Sequence, residues 1–120
     1  MTSQGVHDLI GLGYGLTPSG DDFLVGALAM LDALEQTNMR AALGRAVIAA
    51  AARTSPLSAS FLRAAAAGHV GENLHRMIAA IMTGEADAAV AAATRIGHTS
   101  GWDTLAGAVV TARSADDHRC

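Results

Sequence analysis

The chain has 120 residues, a length typical of one domain, and a net charge of −3. Hydrophobic residues make up 51% of the chain but aromatic residues only 3%, so a core must be built from Ala, Leu, Ile, Val and Met. The eight basic residues are all Arg, which excludes a Walker A loop and a Schiff-base lysine, and the single Cys120 excludes an internal disulfide.

The composition also argues against two classes of partner, nucleic acids and membranes. An acidic chain with few aromatic residues is not typical of general nucleic-acid binding. No apolar run is long enough to span a membrane, and the N-terminus lacks the basic and apolar regions of a signal peptide. We therefore expect a cytoplasmic protein that binds neither nucleic acid nor membranes.

Residues 1–16 form a glycine-rich segment with Gly11, Gly13 and Gly15 at alternating positions. We predict a short helix followed by a loop. The glycines do not fit the dinucleotide fingerprint, and Asp21 and Asp22 stand where a Walker A motif has Lys and Ser or Thr. Two interpretations stay open at this point: a concave nest of backbone amides, or a simple flexible turn.

Helical periodicity continues through residues 17–113, which we predict to form one helical domain. Pro56 suits the first turn of a helix, and Gly68 suits a left-handed C-terminal cap. The predicted fold is all-α, a compact bundle of about six short helices with a Gly-rich N-terminal loop. Residues 114–120 are predicted to be a polar, frayed tail. The predicted helices are 21–36, 39–53, 56–67, 72–83, 85–95 and 101–113.

Two segments of the chain nearly repeat each other. Residues 19–27 (SGDDFLVGA) and 100–108 (SGWDTLAGA) are identical at six of nine positions. In the structural interpretation, Ser and Asp of each copy form a capping box at a helix start. Gly26 and Gly107 then lie inside helices, where Gly costs about 1 kcal/mol relative to Ala. A close crossing of the two helices at these glycines would explain them.

The repeat also has a functional interpretation. Crossing at the glycines would bring two helix N-termini together, and their free amides and dipoles favour an anion. Hydroxyl groups at Thr17, Ser19, Thr99 and Ser100 would add hydrogen-bond donors. The carboxylates of Asp21, Asp22 and Asp103 would repel an anion. They would therefore either bind Mg²⁺, which is the one cofactor that they suggest, or accept a hydrogen bond from an amide or amine of the ligand.

His98 is the best candidate for a general acid or base because it precedes the second helix start, although an ordinary loop histidine is the alternative. Residues around Pro56 offer either a helix N-cap or a ligand contact. The predicted catalytic residues are His98, Asp22 and Asp103. The predicted ligand-binding residues are Gly13, Gly15, Thr17, Ser19, Gly20, Asp21, Thr54, Ser58, Thr99, Ser100 and Gly101. No metal ligand set is assigned.

The segments 11–24 (GLGYGLTPSGDDFL) and 96–107 (IGHTSGWDTLAG) resemble motifs of a bacterial family long labelled a domain of unknown function. This family includes AllH, a subunit associated with oxamate carbamoyltransferase in anaerobic allantoin breakdown. Residues 54–62 (TSPLSASFL) resemble its middle motif. The resemblance spans about residues 9–110, and the family usually has Pro where this chain has Tyr14.

The resemblance implies carbamoyl transfer between oxalurate and phosphate, which gives oxamate and carbamoyl phosphate. It implies a small anionic substrate (carbamoyl phosphate, oxamate or phosphate). Family proteins carry an additional N-terminal region, so the expected partners are that region or other protein subunits. Two further functions stay open from the residues: a non-catalytic helical assembly module of a larger complex, and a Mg-dependent phosphate-handling hydrolase.

Overall fold

The computed structural model describes residues 3–97 and 99–119, with side chains described up to residue 116. These residues form no strand, so the all-α prediction is confirmed. None of the described helices is long and apolar enough to cross a membrane. A 3₁₀ turn, Ala51–Arg53, follows the third helix. The α-helices are α1 (Ser3–Leu9), α2 (Ser19–Ala33), α3 (Thr37–Ala50), α4 (Pro56–Ala66), α5 (Glu72–Met82), α6 (Ala86–Ile96) and α7 (Ser100–Arg119).

Helix α2 lies at the centre of the bundle because its apolar residues cover more than one face. On one side, Leu24 and Leu28 pack with residues of α1, α3 and α4, including Val47 and Leu62. On another side, Met30 packs with α5, α6 and α7. Many partners in this second cluster are alanines, and small side chains let the helices approach closely. The two apolar clusters therefore share one helix.

The crossing of α2 and α7 is the most extensive contact between two helices. A Cβ atom on Gly26 would lie 2.0 Å from the Thr104 carbonyl oxygen, and one on Gly107 would lie 1.9 Å from the Phe23 carbonyl oxygen. The predicted close crossing is confirmed. Phe23 and Thr104 hold equivalent positions in the two repeats. In each repeat, therefore, the glycine packs against the equivalent carbonyl oxygen of the other repeat.

The first glycine of each repeat packs the helix start against the helix that precedes it. A Cβ on Gly20 would lie 1.9 Å from the carbonyl oxygen of Leu9, at the end of α1. A Cβ on Gly101 would lie 1.8 Å from the carbonyl oxygen of Ala93, near the end of α6. The glycines of the repeat thus permit close packing at the starts of both helices and at the place where they cross.

Most helix boundaries fall within a few residues of the prediction. Helix α4 ends where Gly68 adopts a φ of +88°, as the sequence predicts. Helix α7 differs, because it continues to Arg119 instead of ending at residue 113. Ala115 is buried, so packing of that side chain extends the helix through a stretch of polar composition that suggests fraying.

Candidate functional site

A cavity of about 390 Å³ lies where the N-terminal ends of α2, α5 and α7 meet. Apolar side chains of α2, α4 and α5 form part of its wall. The polar residues that line it are Thr17, Asp22, His69, Glu72, Asn73, Arg95, Ser100 and Thr104. The apolar residues are Val25, Phe61, Ala64, Val70, Leu74 and Ile96.

The two repeat starts meet at this cavity. Thr17 Oγ1 and Ser100 Oγ lie 3.0 Å apart, within hydrogen-bond distance. The prediction that the two helix starts lie side by side is therefore confirmed. Ser19 does not take part, because it is exposed, lies beside Gly13 and does not line the cavity. Thr17 provides the hydroxyl on the α2 side instead.

Asp22 is the buried carboxyl group of the cavity wall. Only 8% of this residue is exposed, and its Oδ2 is buried with no hydrogen-bond partner among the described residues. Burial raises the pKa of Asp22 to about 6, while the Ser100 and Thr17 hydroxyls lower it and the charges of Asp103 and Asp21 raise it. Asp103 does not line the cavity, so it affects the site through its charge on Asp22.

Asp21 belongs to a different network. It is 1% exposed, and its Oδ1 accepts a hydrogen bond of 2.8 Å from the Gly11 amide. Its Oδ2 accepts hydrogen bonds from Thr54 Oγ1 at 2.5 Å and from Ser58 Oγ at 2.6 Å. Three of the predicted residues thus come together here, away from the cavity. The network ties the loop before α2 to the start of α4.

The capping box predicted at the first repeat is absent. Helix α2 has Pro18 as its N-cap and no side-chain capping hydrogen bond. The amides of Asp21 and Asp22 bond to the Pro18 carbonyl at 3.0 and 3.1 Å, and the Gly20 amide bonds to the Leu12 carbonyl at 2.9 Å. Backbone carbonyls therefore satisfy the amides that a capping serine would serve. Ser55, by contrast, caps α4 by accepting a hydrogen bond from the Ser58 amide at 3.2 Å.

The remaining predicted residues lie elsewhere. Gly13 and Gly15 are exposed in the loop with positive φ, and Thr99 is exposed before α7. Gly20 and Gly101 are buried in the helix contacts described above. His98 lies outside the described residues. Within residues 3–97 and 99–116, no three His, Cys, Asp or Glu side chains are grouped so that they could hold a metal ion.

Sequence reasoning missed the part of the cavity that α5 and α6 provide. Helix α5 has Gly71 as its N-cap, and no described side chain caps it by a hydrogen bond to the amides of its first turn. Arg95 lies in the last turn of α6, and no ion pair engages its guanidinium among the described side chains. Glu72 is paired with Arg76 at 2.7 Å. A last-turn arginine is ordinary in a helix, so the sequence carried no separate signal for Arg95.

Comparison with known proteins places the chain in a family. The family model described as oxamate carbamoyltransferase subunit AllH matches residues 9–112. The searches of curated proteins and of solved structures returned no match. Since the matched region covers most of the chain and includes both repeats of the α2–α7 pair, the chain belongs to the AllH family.

Proposed function

We propose that this chain binds a small carbamoyl-bearing or phosphate anion in the cavity, as a subunit of an oxamate carbamoyltransferase. The observation that carries this proposal is the convergence on one cavity of Arg95, the uncapped start of α5 and the Thr17–Ser100 hydroxyl pair. The candidate ligands are oxamate, carbamoyl phosphate and inorganic phosphate. The family name supports the enzyme, and the geometry supports the ligand class.

The Arg95 guanidinium and the start of α5 both suit an anion. A guanidinium offers paired N–H donors to a carboxylate or phosphate, and a helix start offers amides with a partial positive charge. The apolar wall that includes Val25 and Leu74 lowers the local dielectric constant, which strengthens these interactions. A cavity of about 390 Å³ is within the usual size range for small-ligand sites.

The expected reaction requires the transfer of a proton. In the expected reaction, phosphate oxygen bonds to the carbamoyl carbon of oxalurate, the carbon–nitrogen bond breaks, and the departing oxamate nitrogen takes a proton. Asp22 has a pKa of about 6, which suits proton exchange near neutral pH. Asp22 and His98 are the proposed acid–base residues, and Asp103, predicted as a third, is proposed to act through its charge on Asp22 because it does not line the cavity. The other subunits of the enzyme complete the reaction.

Calorimetric titration of the full chain tests the anion site. Wild-type protein should bind oxamate, carbamoyl phosphate or phosphate, and Arg95→Gln should weaken binding about tenfold, because a charge-assisted hydrogen bond is lost. Arg45→Gln, at an exposed position of α3, is the matched control and should bind like wild type. Parallel titrations with Mg²⁺ show whether the ion takes part. Absence of binding in folded protein, or unchanged binding by Arg95→Gln, would contradict the proposal.

A second candidate function is non-catalytic assembly, which one surface feature favours. Tyr14 is 99% exposed and Leu16 is 70% exposed in the loop before α2, next to the exposed Leu12. The loop is held in place, because the Leu12 carbonyl accepts from the Gly20 amide and the Leu16 carbonyl accepts from the Ser55 hydroxyl. Exposed apolar side chains on a fixed loop are typical of an interface. The proposed occupant is another subunit of the same enzyme.

Co-purification with the other enzyme subunits tests this second function. Tyr14→Ser combined with Leu16→Ser should reduce recovery of the partner subunits and leave the chain folded. Ile48→Ser, at an exposed position of α3, is the control for loss of a surface apolar group. Equal recovery with the loop variant and the control would rule out the loop as the interface.

A further inference from the structure

The carboxyl group of Asp22 has an unsatisfied oxygen beside the cavity. Its Oδ2 is buried without a hydrogen-bond partner among the described residues. The neighbouring Asp21 shows what the fold provides elsewhere, since both of its oxygens accept hydrogen bonds from internal donors. A buried acceptor without a donor is costly and uncommon in folded proteins. Asp22 is therefore positioned for a donor that comes from outside the chain.

The surroundings of Asp22 restrict what that donor can be. Among the described residues, no three His, Cys, Asp or Glu side chains are grouped so that they could hold a metal ion, so the Asp22 carboxyl is not part of such a group. Arg95 lines the same cavity and favours a negative charge on the ligand. A ligand that satisfies both residues carries an N–H donor and a negative charge. Carbamoyl anions have this arrangement, and so does oxamate, which the family name contains.

We infer that Asp22 is the specificity-determining residue of the anion site and accepts a hydrogen bond from the –NH₂ group of the carbamoyl or oxamate ligand. This inference rests on the proposed function. The Thr17 and Ser100 hydroxyls lie 3.0 Å from each other at the same cavity and lower the pKa of Asp22, so they favour its charged form, which accepts hydrogen bonds. Such a site distinguishes an amide from a methyl group of the same size, because the methyl ligand leaves the buried acceptor unsatisfied.

Pyruvate is the matched probe, since it differs from oxamate only by a methyl group in place of –NH₂. Calorimetry at pH 7.5 should show wild-type protein binding oxamate at least about tenfold more tightly than pyruvate. Asp22→Ala should bring the two dissociation constants within about threefold of each other, chiefly by weakening oxamate binding. Asp22→Asn keeps a carbonyl acceptor and should retain part of the preference.

The ratio of the two dissociation constants separates a binding role from a structural one. Asp87→Asn, at an exposed position in the first turn of α6, is the control and should keep the wild-type ratio. Urea unfolding of each variant verifies that the titrated protein is folded. A loss of packing alone would weaken both ligands equally and leave the ratio unchanged.

The outcomes distinguish this inference from the function on which it rests. Equal binding of oxamate and pyruvate by wild-type protein would overturn the role of Asp22 and leave the anion site in place. Binding of neither ligand would overturn the inference, and it would overturn the anion site as well if carbamoyl phosphate and inorganic phosphate also failed to bind. A preference that persists in Asp22→Ala, or Mg²⁺ binding that disappears in Asp22→Ala, would also overturn the inference, the latter by assigning the carboxyl to a cation.

Discussion

At the scale of the residue, two adjacent aspartates occupy different environments. Successive helix positions point about 100° apart, so neighbouring side chains reach different parts of a bundle. Asp21 faces the start of α4 and accepts hydrogen bonds from Gly11, Thr54 and Ser58. Asp22 faces the cavity and keeps one oxygen without a partner among the described residues. The first stabilises the fold, and the second is available to a ligand.

Replacing Asp21 by Asn should lower the free energy of unfolding by roughly 2–3 kcal/mol. The substitution removes a charged acceptor and turns an amide N–H₂ toward groups that donate hydrogen bonds. Urea unfolding measures the change. Asp32→Asn is the control, because Asp32 pairs with Arg40 at 3.0 Å on a side chain that is 56% exposed, where an ion pair contributes less than about 1 kcal/mol. Equal effects of the two variants would contradict a structural role for Asp21.

The raised pKa of Asp22 predicts a pH dependence of stability. The pKa of Asp22 is about 6 in the folded chain, whereas the ordinary pKa of the group is 3.8. Between these values the folded state binds more protons than the unfolded state, so the contribution of Asp22 to stability falls as pH rises. Asp22→Asn removes this loss and should make the chain more stable than wild type at pH 7.5 by roughly 2 kcal/mol.

The measurement is urea unfolding of wild type and Asp22→Asn at several values of pH. The stability difference between them should be small near pH 4 and should grow as pH rises through about 6, in line with the shifted pKa. Asp87→Asn, at an exposed site, should show no such growth. A difference that stays constant across the range would show that the carboxyl is not destabilised by burial.

At the scale of the helix, the α2–α7 crossing depends on the absence of side chains. Gly26→Ala would place a Cβ 2.0 Å from the Thr104 carbonyl oxygen, which is backbone and moves only if the helices separate. We expect a loss of at least about 2–3 kcal/mol in unfolding free energy. Gly44→Ala in α3 is the control, because its nearest neighbour would lie at 3.8 Å. It should be neutral or stabilise the chain by up to about 1 kcal/mol.

The positions of the helices could be predicted from the sequence because proline and glycine residues mark where several of them begin and end. Pro56 begins α4, and Gly68 and Gly84 adopt positive φ at the ends of α4 and α5. The crossing at Gly26 and Gly107 could also be predicted, because the repeated sequence places an interior glycine in both helices. The part of the cavity at α5 could not, since its start has no counterpart in the repeat. The different environments of Asp21 and Asp22 could not be predicted either, because they depend on which neighbouring helices face each side chain.

At the scale of the whole molecule, α2 joins the two apolar clusters. Leu24 and Leu28 belong to one cluster and Met30 to the other, so neither can lose its packing without exposing part of α2. We predict a single cooperative unfolding transition. The fluorescence of Trp102, the only tryptophan, reports on α7, and far-ultraviolet circular dichroism reports on all helices. Their urea midpoints should coincide, and Gly26→Ala should lower both equally. An earlier Trp102 transition would show that α7 separates first.

The distance along the chain between the two repeats has a consequence during protein synthesis. Helix α2 begins at Ser19, and its main partner α7 begins at Ser100. A ribosome therefore releases most of the bundle before α7 can cover the exposed side of α2, and the late pairing of distant segments is the slow step expected of such a topology. Until α7 has packed, the Thr17 hydroxyl has no hydrogen bond with Ser100, and the cavity lacks the wall that α7 provides. The candidate site is thus complete only when α7 has packed against α2, so any ligand of the cavity would bind after the two helices have paired.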